Sequence, residues 1–162
     1  MARPHTFEEL ARAFKQLGVP EPESWASSEV KEGINQLGRA AFLTAAWRQI
    51  VSERDHSWID QALVADSHDT YGLGQSLRRI LNAGVDKSDL TFVVRAMQHE
   101  LLAGIAYLLD DQRNLPVTFA LFEIDPETRC PVSEIAGVHE STLETDPEGI
   151  EGGSIRGRAA GE

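Results

Sequence analysis

The chain has one cysteine, Cys130, among 162 residues, so it forms no internal disulfide and a secreted disulfide framework is excluded. Long hydrophobic runs are also missing. The longest, Leu101–Leu109, covers nine residues, about half of what spans a bilayer. Upstream of it stand Arg95, Gln98, His99 and Glu100. The opening Met-Ala-Arg-Pro-His-Thr-Phe-Glu-Glu has no apolar segment and turns acidic at once, the opposite of a signal peptide. Basic residues are scattered, with only Arg78 and Arg79 adjacent, so no cationic stripe follows a nucleic-acid backbone. Aromatics are few, and Trp25, Trp47 and Trp58 sit among aliphatic residues at helical spacing. That spacing suits core positions better than a platform for stacked bases. These shortages together predict a cytoplasmic protein that binds neither nucleic acid nor membrane.

Catalytic signatures are equally scarce. No Walker lysine loop and no Gly-x-Ser-x-Gly elbow occurs. Gly72-Leu-Gly74-Gln-Ser-Leu77 has leucine where a dinucleotide fingerprint needs its third glycine, and no strand precedes it. Ser67, His68 and Asp69 are the residue types of a hydrolase triad, but three consecutive residues cannot line up as nucleophile, base and orienter. Two His-Glu pairs, His99–Glu100 and His139–Glu140, invite a metal reading. The zinc-protease pattern needs a second histidine one helical turn after the first. Ala103 and Leu143 stand there instead. A site assembled across the fold from His99, Glu100, His139 and Glu140 is the remaining route to metal-dependent or acid–base chemistry, with Glu100 and His139 as its catalytic pair. No cofactor is expected.

What the chain has in abundance is negative charge. Between Glu123 and Glu151 nine carboxylates face a single base, Arg129, and this stretch carries most of the formal net charge of −11. A field of one sign repels phosphate backbones and attracts cationic surfaces. Glu123, Asp125, Glu127, Glu134, Glu140 and Glu144 are therefore the candidate binding residues, a docking face that steers a basic partner and sets specificity. The reading is a small acidic interaction module, of the kind that acts as inhibitor or immunity partner of a toxin or nuclease. Cys130, beside Arg129, has a cationic neighbour but no resolving thiol, and reads as incidental.

The expected architecture is α+β, mainly α. Residues 1–147 form one helical domain and the glycine-rich segment 148–162 a tail. Thr6 caps a first helix that Gly18 and Pro20 end. Pro20–Glu23 reads as a rigid connector, and Ser27 or Ser28 as the restart of a helix with a kink, or a close helix crossing, near Gly38. Short helices follow over 56–66 and from Leu73 to Gly84, with a loop at 67–72. Asp86 caps the best-specified helix, 87–109, with Val85 and Leu90 placed as a staple. On a helical wheel Leu90, Val93, Val94, Met97, Leu101, Gly104, Ile105 and Leu108 share a sector of roughly 120°. A second apolar set covers much of the remainder, which predicts a buried central helix. After Pro116 the residues turn β-branched and aromatic. Segments 117–124 and 132–138 read as one antiparallel hairpin, about 117–138, whose first strand is covered on both faces. A lone hairpin also offers an edge for pairing with a second copy, so a homodimer is a third reading.

Overall fold

The structure is a computed structural model that describes residues 6–65, 72–113 and 115–149. The tripeptide Ser67–Asp69, the predicted loop at 67–72 up to Tyr71, and the tail beyond Gly149 lie outside these residues. Among the described residues, six α-helices and one two-stranded antiparallel hairpin make the fold mainly helical α+β. The chain divides into two compact units, one of residues 1–48 and 102–162, the other of residues 49–101.

The first unit begins with α1 (Phe7–Leu17). The Thr6 side chain accepts the Glu9 backbone N–H while the Glu9 carboxylate accepts that of Thr6, a reciprocal cap. Gly18, at φ 80°, closes the helix in the left-handed region. Helix α2 (Pro22–Glu32) starts earlier than expected: Pro22 occupies its first turn, where a missing N–H costs nothing, so Pro20–Glu23 is not a connector throughout. Gly33 ends α2, and α3 (Gln36–Trp47) is a separate helix rather than the continuation of a bent one. Its cap explains Gly38. The Asn35 side chain accepts the Gly38 N–H at 2.8 Å, and a Cβ on residue 38 would stand 2.7 Å from that same side chain.

Two apolar clusters fill this unit. Leu10, Phe14, Val19, Trp25, Ala26 and Ala40 form one, with the Phe14 and Trp25 rings 5.8 Å apart. Leu43, Ala106, Ile135 and Val138 form the other, beneath the hairpin. Strands β1 (Leu121–Ile124) and β2 (Pro131–Ile135) pair Leu121 with Ile135 and Phe122 with Glu134, and an irregularity falls between Glu123 and Ile124. The strands are shorter than 117–124 and 132–138. β1 is covered on one face only: Leu121 and Glu123 turn inward, whereas Phe122 and Ile124 are exposed. A two-stranded sheet has no second layer to cover its outer face.

The second unit contains α4 (Ser57–Val64), α5 (Leu73–Asn82) and the start of α6 (Lys87–Asp110), which ends in the first unit. Asp86 caps α6 as expected, accepting the Ser88 N–H at 2.7 Å. The side of α6 that faces inward is not the expected one. Thr91, Arg95, Leu102 and Ala106 are buried, while Met97 and Leu101 are 69% and 64% exposed. Met97 and Leu101 belong to the sector predicted to be the core, so the buried central helix is corrected: the apolar sector points outward. The reason is a set of partners distant in sequence. The Thr91 hydroxyl accepts the Trp58 indole N–H at 3.0 Å and bonds His56 Nδ1 at 3.0 Å. Arg95 donates to the Val51 carbonyl at 2.9 Å, and Gln98 accepts the Val51 N–H at 2.9 Å. Buried polar groups persist where each finds a partner, and here they claim the inner face. By length and composition alone α6 is long and apolar enough to cross a membrane.

Candidate functional site

Two side chains, one buried and one half-buried, set the shape of the acidic region. Arg39 projects from α3 and is 7% exposed. Its Nε donates to the Ala136 carbonyl at 2.8 Å, and one terminal nitrogen donates to Ser141 Oγ at 3.3 Å. Asp110, the last residue of α6, takes the same segment from the other end. Its carboxylate accepts the Gly137 N–H at 2.9 Å, the His139 N–H at 2.8 Å and the His139 Nδ1–H at 2.6 Å. Burial alone raises the Asp110 carboxyl, but hydrogen bonds from His139, Val138 and Gly137 outweigh it and hold the group below its ordinary range. The Tyr107 ring meets the His139 imidazole edge-on at 5.6 Å. Gly137 fits between the two clamps because its φ is 69° and because any Cβ would run into the Arg39 guanidinium. Farther along, Trp47 Nε1 donates to the Thr142 carbonyl at 3.0 Å and to Thr145 Oγ1 at 3.2 Å. The chain from Ala136 to Thr145 is thus held by α3 and α6, and its short turn at His139–Ser141 leaves Glu140 and Glu144 outside.

The six predicted binding carboxylates divide into two kinds. Glu123 is half-buried and accepts from Asn35 Nδ2 at 3.0 Å. Asp125 organises the hairpin turn, accepting from the Thr128 N–H, the Thr128 hydroxyl and the Glu127 N–H, which holds it below its ordinary range. These two serve the local structure. Glu127, Glu134, Glu140 and Glu144 are exposed. Among the described residues only Glu140 of these four has a cation near it, Arg39 at 4.0 Å. Glu134 shares the outer face of the hairpin with exposed Phe122 and Ile124, opposite Phe122 in the register. Glu140 and Glu144 border one cleft of about 250 Å³, whose other walls include Ser24, Ser28, Gln36 and Arg39.

In that cleft the Gln36 amide is oriented by its neighbours. Ser28 donates its proton to Glu32 at 2.8 Å, so it can only accept from Gln36 Nε2 at 2.9 Å. Among the described residues the Gln36 carbonyl oxygen has no partner, and it is buried. The cleft therefore combines two outward carboxylates with the Arg39 guanidinium and the Ser24 and Ser28 side chains at its wall.

The weak metal and catalytic candidates are distributed differently. His99 and Glu100 lie 4.0 Å apart on α6 in the unit of residues 49–101, and His139 and Glu140 belong to the other unit. Among the described residues no three His, Cys, Asp or Glu side chains gather as a metal ion requires. The residue that does bind His139 is Asp110, which directly follows the apolar run Leu101–Leu109 and carries no motif. Arg39 was missed as well, since one arginine in an apolar helix carries no motif.

Compared with known protein families, with characterised proteins and with solved structures, the chain finds no significant match. The functional reading therefore rests on its own residues.

Proposed function

We propose that the protein is a small cytoplasmic interaction module that docks a basic protein surface, in the manner of an inhibitor or immunity partner. The observation that carries this reading is the set of outward carboxylates Glu127, Glu134 and Glu144, none of which has a cationic neighbour among the described residues, with Glu134 directly across the hairpin from exposed Phe122. Interfaces combine an apolar centre with charges that steer the encounter, and this pairing of side chains supplies both. Glu140 and Glu144 at the polar cleft would receive a lysine or arginine side chain from the partner.

The test uses a decalysine peptide as probe. Binding should weaken steeply as salt rises. A triple variant, Glu127→Gln, Glu134→Gln and Glu144→Gln, should lose most of it. A control with the same net charge, Glu8→Gln, Glu21→Gln and Glu23→Gln, should keep it. Equal losses in both variants would reduce the effect to net charge and end the reading.

A second reading has one observation in its favour. Asp110 holds His139 Nδ1 and so leaves Nε2 as the available base. Acid–base chemistry would then centre on His139, with Glu140 beside it, rather than on a four-residue site that includes His99 and Glu100. Hydrolysis of a panel of activated esters and phosphate esters, abolished by His139→Gln, is the signature it needs. Rates identical to that variant's would remove it.

A further inference from the structure

The outward sector of α6 is a surface that the acidic reading does not use. Val93, Met97, Leu101, Ile105 and Leu108 are all large, apolar and exposed. Leu90, Val94, Met97, Leu101, Gly104 and Leu108 alternate by four and three, the heptad seam of helices that pack side by side. We propose that this seam pairs antiparallel with the same seam of a second copy of the chain.

Three observations select that occupant. The seam reads the same in both directions about position 99, so an antiparallel copy sets Leu90 against Leu108, Val94 against Gly104, and Met97 against Leu101. A two-fold interface requires such self-complementarity. Gly104 has no atom within 4 Å of where a Cβ would stand, leaving room for the partner helix to approach beside Val94. The third is charge. Two copies of a chain with net charge −11 repel through most of their surface, but no seam residue is ionisable. The same lack of carboxylates makes the seam a poor match for a basic partner. From Leu90 to Leu108 it runs about 27 Å at 1.5 Å per residue. That is short for a stable interface, so the dimer should dissociate on dilution. Glu100 borders the seam and is 83% exposed. In the antiparallel arrangement it meets its own counterpart near the two-fold axis, which weakens the pair.

Sedimentation equilibrium of the full chain tests this. The mass should rise with concentration from 17.8 kDa toward twice that value. Met97→Glu should stay monomeric with an unchanged circular dichroism spectrum. Glu100→Gln should dimerise about two- to fivefold more tightly, the size of one exposed charge contact. In a Cys130→Ser background, a mixture of Leu90→Cys and Leu108→Cys chains should cross-link on mild oxidation, while neither chain alone does. A monomer at all concentrations would overturn the proposal. So would a dimer that survives Met97→Glu, which would place the contact on the hairpin edge. Flotation of a monomer with phosphatidylcholine–phosphatidylglycerol vesicles, lost in Met97→Glu, would overturn it in favour of a lipid surface.

Discussion

Asp110 and His139 are joined twice: one carboxylate oxygen accepts both the backbone N–H of His139 at 2.8 Å and its ring Nδ1–H at 2.6 Å. The second oxygen accepts from Gly137. The end of a long helix thereby fixes the path of the chain leaving the hairpin. Replacing the carboxylate removes hydrogen bonds to a charged acceptor, a loss with a known scale.

Asp110→Asn should lower stability by about 1–3 kcal/mol at neutral pH. The Asp110 carboxyl is depressed below its ordinary 3.8, so its contribution is present above that value and fades as pH falls through the lower folded value. Urea titrations of the two proteins should differ at pH 7 and converge only as pH falls below 3.8 and through the lower folded value. A constant gap across that range would show that charge on Asp110 contributes nothing. His139→Ala should cost less, because the two backbone N–H bonds survive it.

Gly137→Ala should destabilise by more than about 1 kcal/mol, since the position combines a left-handed backbone with contact against Arg39. The contact component can be isolated. Arg39→Ala removes the guanidinium, so the double variant should lose less stability than the two single losses added together. Strict additivity, measured by thermal unfolding, would mean that the backbone conformation accounts for the whole effect.

Thr91→Val keeps the shape of the side chain but removes the oxygen shared by Trp58 and His56. A cost of about 1–3 kcal/mol is expected, with Thr91→Ser close to the unmodified protein. Chemical denaturation followed by tryptophan emission reads it. A stabilised Thr91→Val would show that α6 can be held by apolar packing alone.

Local signals were legible wherever one residue acts on its immediate neighbours. Thr6, Gly18 and Asp86 mark helix ends because capping is settled within three or four residues. The change to β-branched residues after Pro116 located the hairpin, though not its shorter strands. Direction could not be read in the same way. The wheel of α6 shows an apolar sector, yet which side faces in was decided by Val51, His56 and Trp58, from another stretch of chain. The acidic site was half legible. Composition found the carboxylates, but only contacts separate Asp125, spent on its own turn, from Glu134, which faces solvent. Arg39 and Asp110, which aim the segment between them, bond to residues 136–141 far along the chain and carry no spacing that a motif could capture.

Cys130 closes the hairpin turn, is exposed, and is the sole thiol of the sequence. A maleimide dye or nitroxide will therefore attach at one place without any engineering, a few residues from Glu127. Its emission or line shape would register the arrival of a cationic partner at the hairpin. Pairing along α6 would be followed through other labels, so the two events could be watched separately in one sample.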